Sequence, residues 1–547
     1  MLDREVSGNV LYGHQIRELY IHDPVRIMGT DLERLQCSCP FLEILDFQPT
    51  QLAECFPPPY ADMLTAWQRL VHVPPIRSSH DTEPLLHAFG HRLTRLDIRS
   101  DALHSLYTHG RLVSTLCSLV CIRHLTLVAG YPIVLSLTDM ECLHEWLPNL
   151  VYLDMQGIAL EKGTLPTFQY ISTTLRTFSL QLTSRNNSIQ WLLYIAYKYP
   201  CLHTLVLDIT STSSPIFEQA YLLIASQLRR LHSLRIWDPQ WPQTPFLRTL
   251  RECGTRLEVL ETAATDDEDS DTSLAPLIQE SYGFLSKLTL QRATHLPTTI
   301  PLLSHCQRLT KLELAALNQT YAIDVLLDQL VVLKSLDIEG IHFFVSESTF
   351  QQQHQQKNNI SPKQHGLNIL AMYESSFTSD IFYHLNLRCP DLSRLILQGC
   401  AVGVTAETTE FLIDMPSHRF TLIDIDGIRL VVDPETDWRH HYTIGTMTIF
   451  CLGQATGTEQ WYHVCDEKQT PLDQEAFVPG LRKLEQQEIH TVKAYRPTRA
   501  DWAACHHYER ANFVHPKHWQ LDIPLGYLGV RCQSVDTFKF WSIEIVE

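Results

Sequence analysis

The chain has 547 residues, 44% of them hydrophobic, and a formal net charge of −18. The negative charge argues against nucleic acid as a main partner, because phosphate backbones attract basic surfaces. No apolar run reaches the roughly 18 residues of a membrane-spanning helix, and no apolar signal-peptide core follows residues 1–5. The 15 cysteines are scattered, which is typical of reduced thiols. We therefore expect a cytoplasmic protein, a nuclear protein or both, with no membrane partner.

A short phrase, apolar-x-x-Leu-x-apolar, recurs along the chain. Neighbouring copies are 24 to 29 residues apart, as from Leu312 to Leu336 and from Leu96 to Leu125. A repeat of this length and phrase predicts a leucine-rich-repeat solenoid, in which each phrase is one parallel strand. The central leucines expected to stack as one buried column are Leu19, Leu45, Leu96, Leu125, Leu153, Leu205, Leu234, Leu288, Leu312, Leu336 and Leu395.

Two gaps of about twice the usual spacing predict degenerate copies of the phrase. Residues 67–73 fill the first gap, with Leu70 as the central position, and residues 175–180 fill the second, with Phe178 there. Between Leu336 and Leu370 the spacing is wider and the sequence is rich in Gln and Asn. This composition predicts a polar insertion at 343–365, of which 350–363 are expected to be disordered.

The segments between phrases show helical periodicity. Ile189, Leu192, Leu193 and Ala196 fall on one helical face, and Pro200 ends that helix. The predicted unit is a helix plus a strand, which gives an α/β solenoid with parallel strands on the concave face and helices on the convex face. Small, apolar cysteines suit the helix-to-strand corners, and those at such corners are Cys39, Cys201, Cys306 and Cys389.

The phrases stop near residue 429, and the sequence beyond it contains extended segments such as 442–450 and 538–545. An unmatched final repeat and its open strand edge need a cover. We therefore predict two domains, a solenoid at 1–428 and a β-rich C-terminal cap at 429–547.

No catalytic motif accompanies the repeats, and we predict that the protein is not an enzyme and has no cofactor. His463 and Cys465, with the Cys-His-His run at 505–507, could ligate zinc. No Cys-x-x-Cys pairs or His-Glu-x-x-His motif occur with them, so we predict core cysteines and surface histidines rather than a metal site. Asp46 and Asp97 occupy equivalent repeat positions and are predicted ligand contacts rather than an acid–base pair.

Side chains beside the central leucine point away from the core, because strand side chains alternate between the two faces of a sheet. On a solenoid they line the concave face, where Tyr, Trp and Arg are frequent interface hot spots. We predict a protein ligand on this face, with the alternative that the cap or a neighbouring loop covers Trp237. The predicted contact residues are Arg95, Asp97, Arg99, Tyr152, Asp154, Arg235, Trp237 and Tyr373.

Residues 389–400, Cys-Pro-Asp-Leu-Ser-Arg-Leu-Ile-Leu-Gln-Gly-Cys, resemble the cysteine-containing leucine-rich repeat of F-box proteins, and residues 39–47 are a looser copy. Over residues 10–425 the chain resembles fungal F-box proteins with ribonuclease-inhibitor-like repeats. In that family an F-box binds a Skp-type adaptor, and the repeats recruit substrates to a cullin ubiquitin ligase.

This chain departs from the family at its start, where Ile16 to Leu19 already form a repeat phrase and no F-box is visible. The resemblance implies a Skp-type adaptor and a cullin as partners if an F-box lies upstream. Two hypotheses therefore stay open. The protein is either a substrate-recognition component of a ubiquitin ligase or a stand-alone leucine-rich-repeat scaffold or regulator.

Overall fold

The computed structural model forms two compact units, Met1–Thr262 and Ala263–Glu547, called here the first and the second unit. No helix in the described part of the chain is long and apolar enough to cross a membrane. The described residues are 12–21, 29–47, 67–161, 171–182, 188–209, 215–238, 240–263, 283–293, 295–347, 363–404, 408–431, 446–454, 459–466, 479–497 and 513–545.

Parallel strands alternate with helices through the first unit, as the repeat predicts. Its strands are β1 (Glu18–Ile21), β2 (Ile44–Phe47), β3 (Arg95–Arg99), β4 (His124–Leu135), β5 (Tyr152–Leu160), β6 (Thr177–Leu182), β7 (Thr204–Ile209), β8 (Ser233–Ile236) and β9 (Val259–Ala263). Its helices are α1 (Gly29–Ser38), α2 (Ser79–Phe89), α3 (Ser100–Thr108), α4 (Leu112–Cys117), α5 (Leu137–Trp146), α6 (Ser188–Lys198), α7 (Pro215–Gln227) and α8 (Gln243–Glu252).

The predicted leucine column is confirmed within the first unit. β1 pairs with β2, and β3 to β9 pair in chain order, each time with the central residues in register. The central residues from Leu45 to Leu260 are 0% exposed, and Phe178 fills its predicted place between Leu153 and Leu205. Leu19 differs because it is only half-buried. Within the described residues, β1 has a strand partner on one side alone.

The first degenerate repeat is displaced from its predicted register. His72 bridges Ile44 and Arg95, the residues that precede the central leucines of β2 and β3. The fully buried Val73 therefore occupies the central position, and the prediction of Leu70 there is wrong by three residues. Pro74 and Pro75 follow at once. Proline lacks the N–H that a strand ladder needs, so only isolated bridges form.

The helix predicted before Pro200 is confirmed as α6, but its buried face is wider than the predicted stripe. Trp191, Tyr194 and Ile195 are fully buried, whereas Ile189 and Leu193, two members of the predicted face, are half-buried. α6 packs against β5, and the Trp191 indole N–H donates to the Ile158 carbonyl at 3.0 Å. Aromatic side chains thus supply much of the core between helix and sheet here.

A buried polar cluster joins α5 to α6. A reciprocal capping box between Ser136 and Asp139 fixes the start of α5. The Glu141 carboxylate on α5 pairs with the Lys198 ammonium, which is 1% exposed, and accepts the Tyr194 hydroxyl at 2.8 Å. Glu141 is 24% exposed, so only the ammonium is fully buried, and a buried charge is costly unless its partner is held in place.

The second unit contains two parallel ladders followed by antiparallel strands. Its strands are β10 (Lys287–Gln291), β11 (Lys311–Ala322), β12 (Ser335–Phe344), β13 (Ile369–Tyr373), β14 (Ser376–Thr378), β15 (Arg394–Gln398), β16 (Ala401–Gly403), β17 (Glu410–Asp426), β18 (Arg429–Val431), β19 (Ile449–Gln454), β20 (Glu459–Cys465), β21 (Gly480–Lys483), β22 (Tyr527–Phe540) and β23 (Ile543–Ile545). Its helices are α9 (Leu296–Leu303), α10 (Ile323–Gln329), α11 (Asp380–Arg388) and α12 (Gln486–Ala494).

The main ladder of the second unit runs β10, β11, β12, β13, β15, β17 and β22, all parallel. Its central residues from Leu288 to Leu395, followed by Ile423, are 0% exposed, so the column is confirmed here too. β22 also pairs with β19, while β19–β20, β20–β21 and β22–β23 are antiparallel. The domain boundary at 428/429 stays a prediction. Of the predicted insertion, residues 348–362 lie outside the described residues.

The second ladder of the second unit runs from the later part of β12 through β14 and β16 to β18, all parallel, and a left-handed turn separates it from the main ladder. Gly399 and Gly427 hold this position with φ of +64° and +63°. Glu374, which is in the equivalent position after β13, has φ of +43°. A residue with a Cβ atom loses about 1–2 kcal/mol in this conformation. The turn thus favours glycine, and Glu374 is strained.

We expect Glu374→Gly to raise the free energy of unfolding by about 0.5–1 kcal/mol, because the released strain exceeds the extra chain entropy of glycine. Gly399→Ala, at the same turn position one repeat later, should lower it by about 1 kcal/mol. Thermal melting of both variants beside the wild type measures the two shifts. A lower melting midpoint for Glu374→Gly would contradict the strain at this turn.

Candidate functional site

The candidate site is the sheet face of the first unit whose side chains alternate with the buried leucine column. We call this surface the open face. Three rows of side chains cross it in register from strand to strand. The first row is His72, Arg95, His124, Tyr152, Thr177 and Thr204; the second is Asp97, Thr126, Asp154, Ser179, Val206, Arg235 and Glu261; the third is Arg99, Val128, Gln156, Gln181 and Asp208.

Seven of the eight predicted contact residues belong to the open face. Arg95, Asp97 and Arg99 lie on β3, Tyr152 and Asp154 on β5, and Arg235 on β8. Trp237 directly follows β8, and its backbone N–H donates to the Leu207 carbonyl at 2.7 Å. The eighth residue, Tyr373, ends β13 in the second unit.

The two predicted aspartates are far less exposed than the alternation of strand side chains predicts. Asp97 is 5% exposed and Asp154 8%, whereas Arg95 is exposed and Tyr152 half-buried. Arg99 donates from Nε and Nη2 to the two Asp97 oxygens at 2.8 and 2.7 Å. Longer polar side chains therefore cover the short aspartates from the same face.

Arg95 is the main positive group at the first row of the open face. His72 and His124 hold the same position on either side of it, and burial together with the Arg95 charge lowers the pKa of both imidazoles. The neutral form of both imidazoles is therefore favoured. The His124 and Tyr152 ring centroids lie 5.8 Å apart. Within the described residues, Arg95 makes no ion pair.

Asp154 and Asp208 form no ion pair among the described residues, although the charge of Arg99 acts on Asp154 and that of Arg235 on Asp208. Burial is the main reason that the pKa of Asp154 is raised, and hydrogen bonds from Ser179 and Gln156 oppose it. Burial likewise raises the pKa of Asp208, while a hydrogen bond from Gln181 opposes the shift. Both groups are thus partly withdrawn from water although they lie on the outward side of the sheet.

At the β8–β9 end of the open face, the ion-paired Arg235 lies beside the Trp237 indole. Arg235 forms an ion pair with Glu261, the residue in register with it on β9. The Arg235 guanidinium carbon lies 5.9 Å from the centroid of the Trp237 ring, within reach of a cation–π contact. Trp237 is half-buried. This corner offers both a flat apolar surface and a hydrogen-bond donor.

Tyr373 belongs to the corresponding face of the second unit. It lies in register between Glu339 on β12 and Gln398 on β15. Burial is the main cause that raises the pKa of Tyr373, followed by the charges of Asp337 and Asp424. The tyrosine is half-buried on a face that carries several carboxylates.

Several open-face groups are not among the residues predicted from the sequence, notably His72, His124, Gln156 and Asp208. His124 immediately precedes the central Leu125, so the rule that selects Tyr152 also selects it. His72 is lost because the degenerate repeat is placed three residues away from its true register.

The residues weighed as zinc ligands do not form a described metal site. Within the described ranges, no group of three or more His, Cys, Asp or Glu side chains is placed to hold a metal ion. His463 and Cys465 are fully buried on β20, and the His463 imidazole contacts the Asp522 carboxylate at 3.0 Å. His463 is therefore not a surface histidine, contrary to prediction. Residues 505–507 lie outside the described residues.

No family model matches the chain, and no curated protein matches it. A leucine-rich-repeat protein of Leptospira interrogans is 14% identical, with 78% of this chain and 94% of that chain covered and a TM-score of 0.36. An internalin from Listeria monocytogenes is 15% identical, with 70% and 87% covered and a TM-score of 0.29. The leucine-rich-repeat ectodomain of the Arabidopsis thaliana receptor kinase GASSHO1/SCHENGEN3 is 13% identical, with 76% and 53% covered and a TM-score of 0.32.

The class of protein follows from the chain itself, because the recurring phrase, the parallel strands in register and the buried leucine column occur in both units. The protein is an α/β leucine-rich-repeat protein.

Proposed function

We propose that the protein is a protein-interaction module and that the open face of the first unit binds its partner. The observation that supports this most directly is the presence of Arg95, Tyr152 and Trp237 on one face of a parallel sheet, the first two in one row and Trp237 directly after β8. These residue types dominate the energetics of protein interfaces. A surface that presents them from regular strands binds with little loss of backbone freedom.

Changing Arg95, Tyr152 and Trp237 together to alanine is expected to abolish partner recovery in an affinity purification read by mass spectrometry. Truncating hot-spot residues typically weakens binding by 2 kcal/mol or more each, about thirtyfold. The matched control is Trp146→Ala, Tyr197→Ala and Arg248→Ala. These exposed residues have the same side-chain types and lie on the helices α5, α6 and α8.

The control variant should keep the partners of the wild type, and circular dichroism should show both variants folded. Partner recovery that survives the Arg95, Tyr152 and Trp237 changes would place the binding surface elsewhere in the chain.

For the cellular role, we propose substrate recognition in a Skp-cullin-F-box ubiquitin ligase, in the cytoplasm or the nucleus. The support is the cysteine-containing phrase at 389–400, whose Cys389 and Cys400 are both buried. The alternative is a stand-alone scaffold or regulator. The same purification of the wild type separates the two, because a ligase component recovers a Skp-type adaptor and a cullin, and a stand-alone scaffold recovers neither.

A further inference from the structure

The three rows of the open face carry four carboxylates, Asp97, Asp154, Asp208 and Glu261, and three arginines, Arg95, Arg99 and Arg235. Arg99 neutralises Asp97, and Arg235 neutralises Glu261. Asp154 and Asp208 form no ion pair within the described part of the chain. The whole chain carries a net charge of −18, so its long-range field also favours cationic partners.

Asp154 has an unsatisfied acceptor in addition to its unpaired charge. Its Oδ2 accepts the Gln156 amide N–H at 3.1 Å and the Ser179 hydroxyl also stabilises the carboxylate, but its buried Oδ1 has no hydrogen-bond partner in the described structure. Buried polar atoms in folded proteins are rarely left without a partner, and each exception needs an explanation. One explanation is a hydrogen-bond donor from another molecule, because Asp154 belongs to an outward-facing row of side chains.

The geometry around Asp154 suits an extended, basic segment. Asp154 is on β5 and Asp208 on β7, with β6 between them, so the two carboxylates are roughly 10–12 Å apart along the sheet. An extended chain covers that distance in three or four residues. Tyr152 and Trp237 flank the carboxylates on the open face, and aromatic rings also attract guanidinium and ammonium groups.

We propose that Asp154 and Asp208 receive lysine or arginine side chains of a basic protein segment lying on the open face. This inference rests on the proposed function and deepens it by naming the chemistry of the partner. Partial burial of both carboxylates makes their attraction to a cation stronger than that of fully hydrated surface carboxylates.

The test uses a full-length double variant that carries both Asp154→Asn and Asp208→Asn, and compares it with the wild type. The probe is a short fluorescein-labelled peptide rich in lysine and arginine, with binding followed by fluorescence anisotropy. We expect the affinity to fall about tenfold or more. The matched control, Glu145→Gln with Glu218→Gln, removes the same charge from exposed positions on α5 and α7 and should cost less than about twofold.

Equal losses in the two charge variants would show unspecific attraction to a negative protein, and an unchanged affinity in the open-face variant would also overturn the inference. Asp208→Lys alone is a second variant at a half-buried position. The Asp208→Lys variant should bind the basic peptide more weakly than the wild type, because it places a positive charge where the peptide needs a negative one. Retained binding by this variant would count against the inference even if the double variant failed to fold.

Failure of this inference is distinguishable from failure of the proposed function. If cellular partners are lost by the Arg95, Tyr152 and Trp237 variant but kept by the double aspartate variant, the open face binds proteins without a basic segment. If both variants keep all partners, the proposed function fails as well.

Discussion

Replacing Glu141 by alanine is expected to lower the free energy of unfolding by roughly 3–5 kcal/mol. Lys198 is 1% exposed, and its ammonium pairs with the Glu141 carboxylate. Without that carboxylate a positive charge stays in a site that excludes water, which destabilises far more than the loss of a surface ion pair. Urea denaturation followed by circular dichroism measures the change.

Two comparisons isolate the effect of the buried charge. Glu141→Leu combined with Lys198→Met removes both charges at similar volume and should stay within about 2 kcal/mol of the wild type. Lys493→Met breaks the exposed pair with Glu459, whose side chains are 48% and 39% exposed, and should change stability by at most about 1 kcal/mol. Equal effects of Glu141→Ala and Lys493→Met would contradict the special cost of the buried pair.

The second large effect is expected for Leu153→Ala, which should lower the free energy of unfolding by about 2–5 kcal/mol. Leu153 is 0% exposed and lies in register between Leu125 and Phe178. Truncation removes buried methyl groups and leaves a cavity in a column that repeats on both sides. Denaturant titration gives the size of the loss.

Leu19→Ala is the matched control, because Leu19 holds the same repeat position in β1 but is half-buried. It should cost about 1 kcal/mol or less. Leu153→Met conserves volume and should cost less than about 1.5 kcal/mol. Similar losses at Leu153 and Leu19 would show that the column is not the principal source of stability.

The repeat accounts for why the fold class could be predicted. A phrase with apolar residues at fixed spacing buries one side of each strand, and the same spacing in the next repeat places its leucine beside the first. Phe178 in its degenerate copy follows the same rule. The rule fails at residues 67–73, because Pro74 and Pro75 directly after them prevent a regular ladder and the central residue is Val73.

The placement of the candidate site follows from the same periodicity, but its electrostatics do not. Alternation assigns Arg95, Asp97, Tyr152 and Asp154 to one face, and the strand register aligns them. Their exposure depends on neighbouring long side chains. The Arg99 guanidinium closes over Asp97, whereas Asp154 keeps an oxygen without a partner.

The sequence by itself determined the repeat, the parallel strands and the face of each strand side chain, because these depend on residues a few positions apart. Only the tertiary structure decided that Lys198 is buried and pairs with the half-buried Glu141, although lysine is almost never fully buried unless it is paired. It also decided that β22 pairs with β17, more than a hundred residues earlier. Such contacts join segments distant in the chain, and their free energy depends on packing and desolvation that no local pattern encodes.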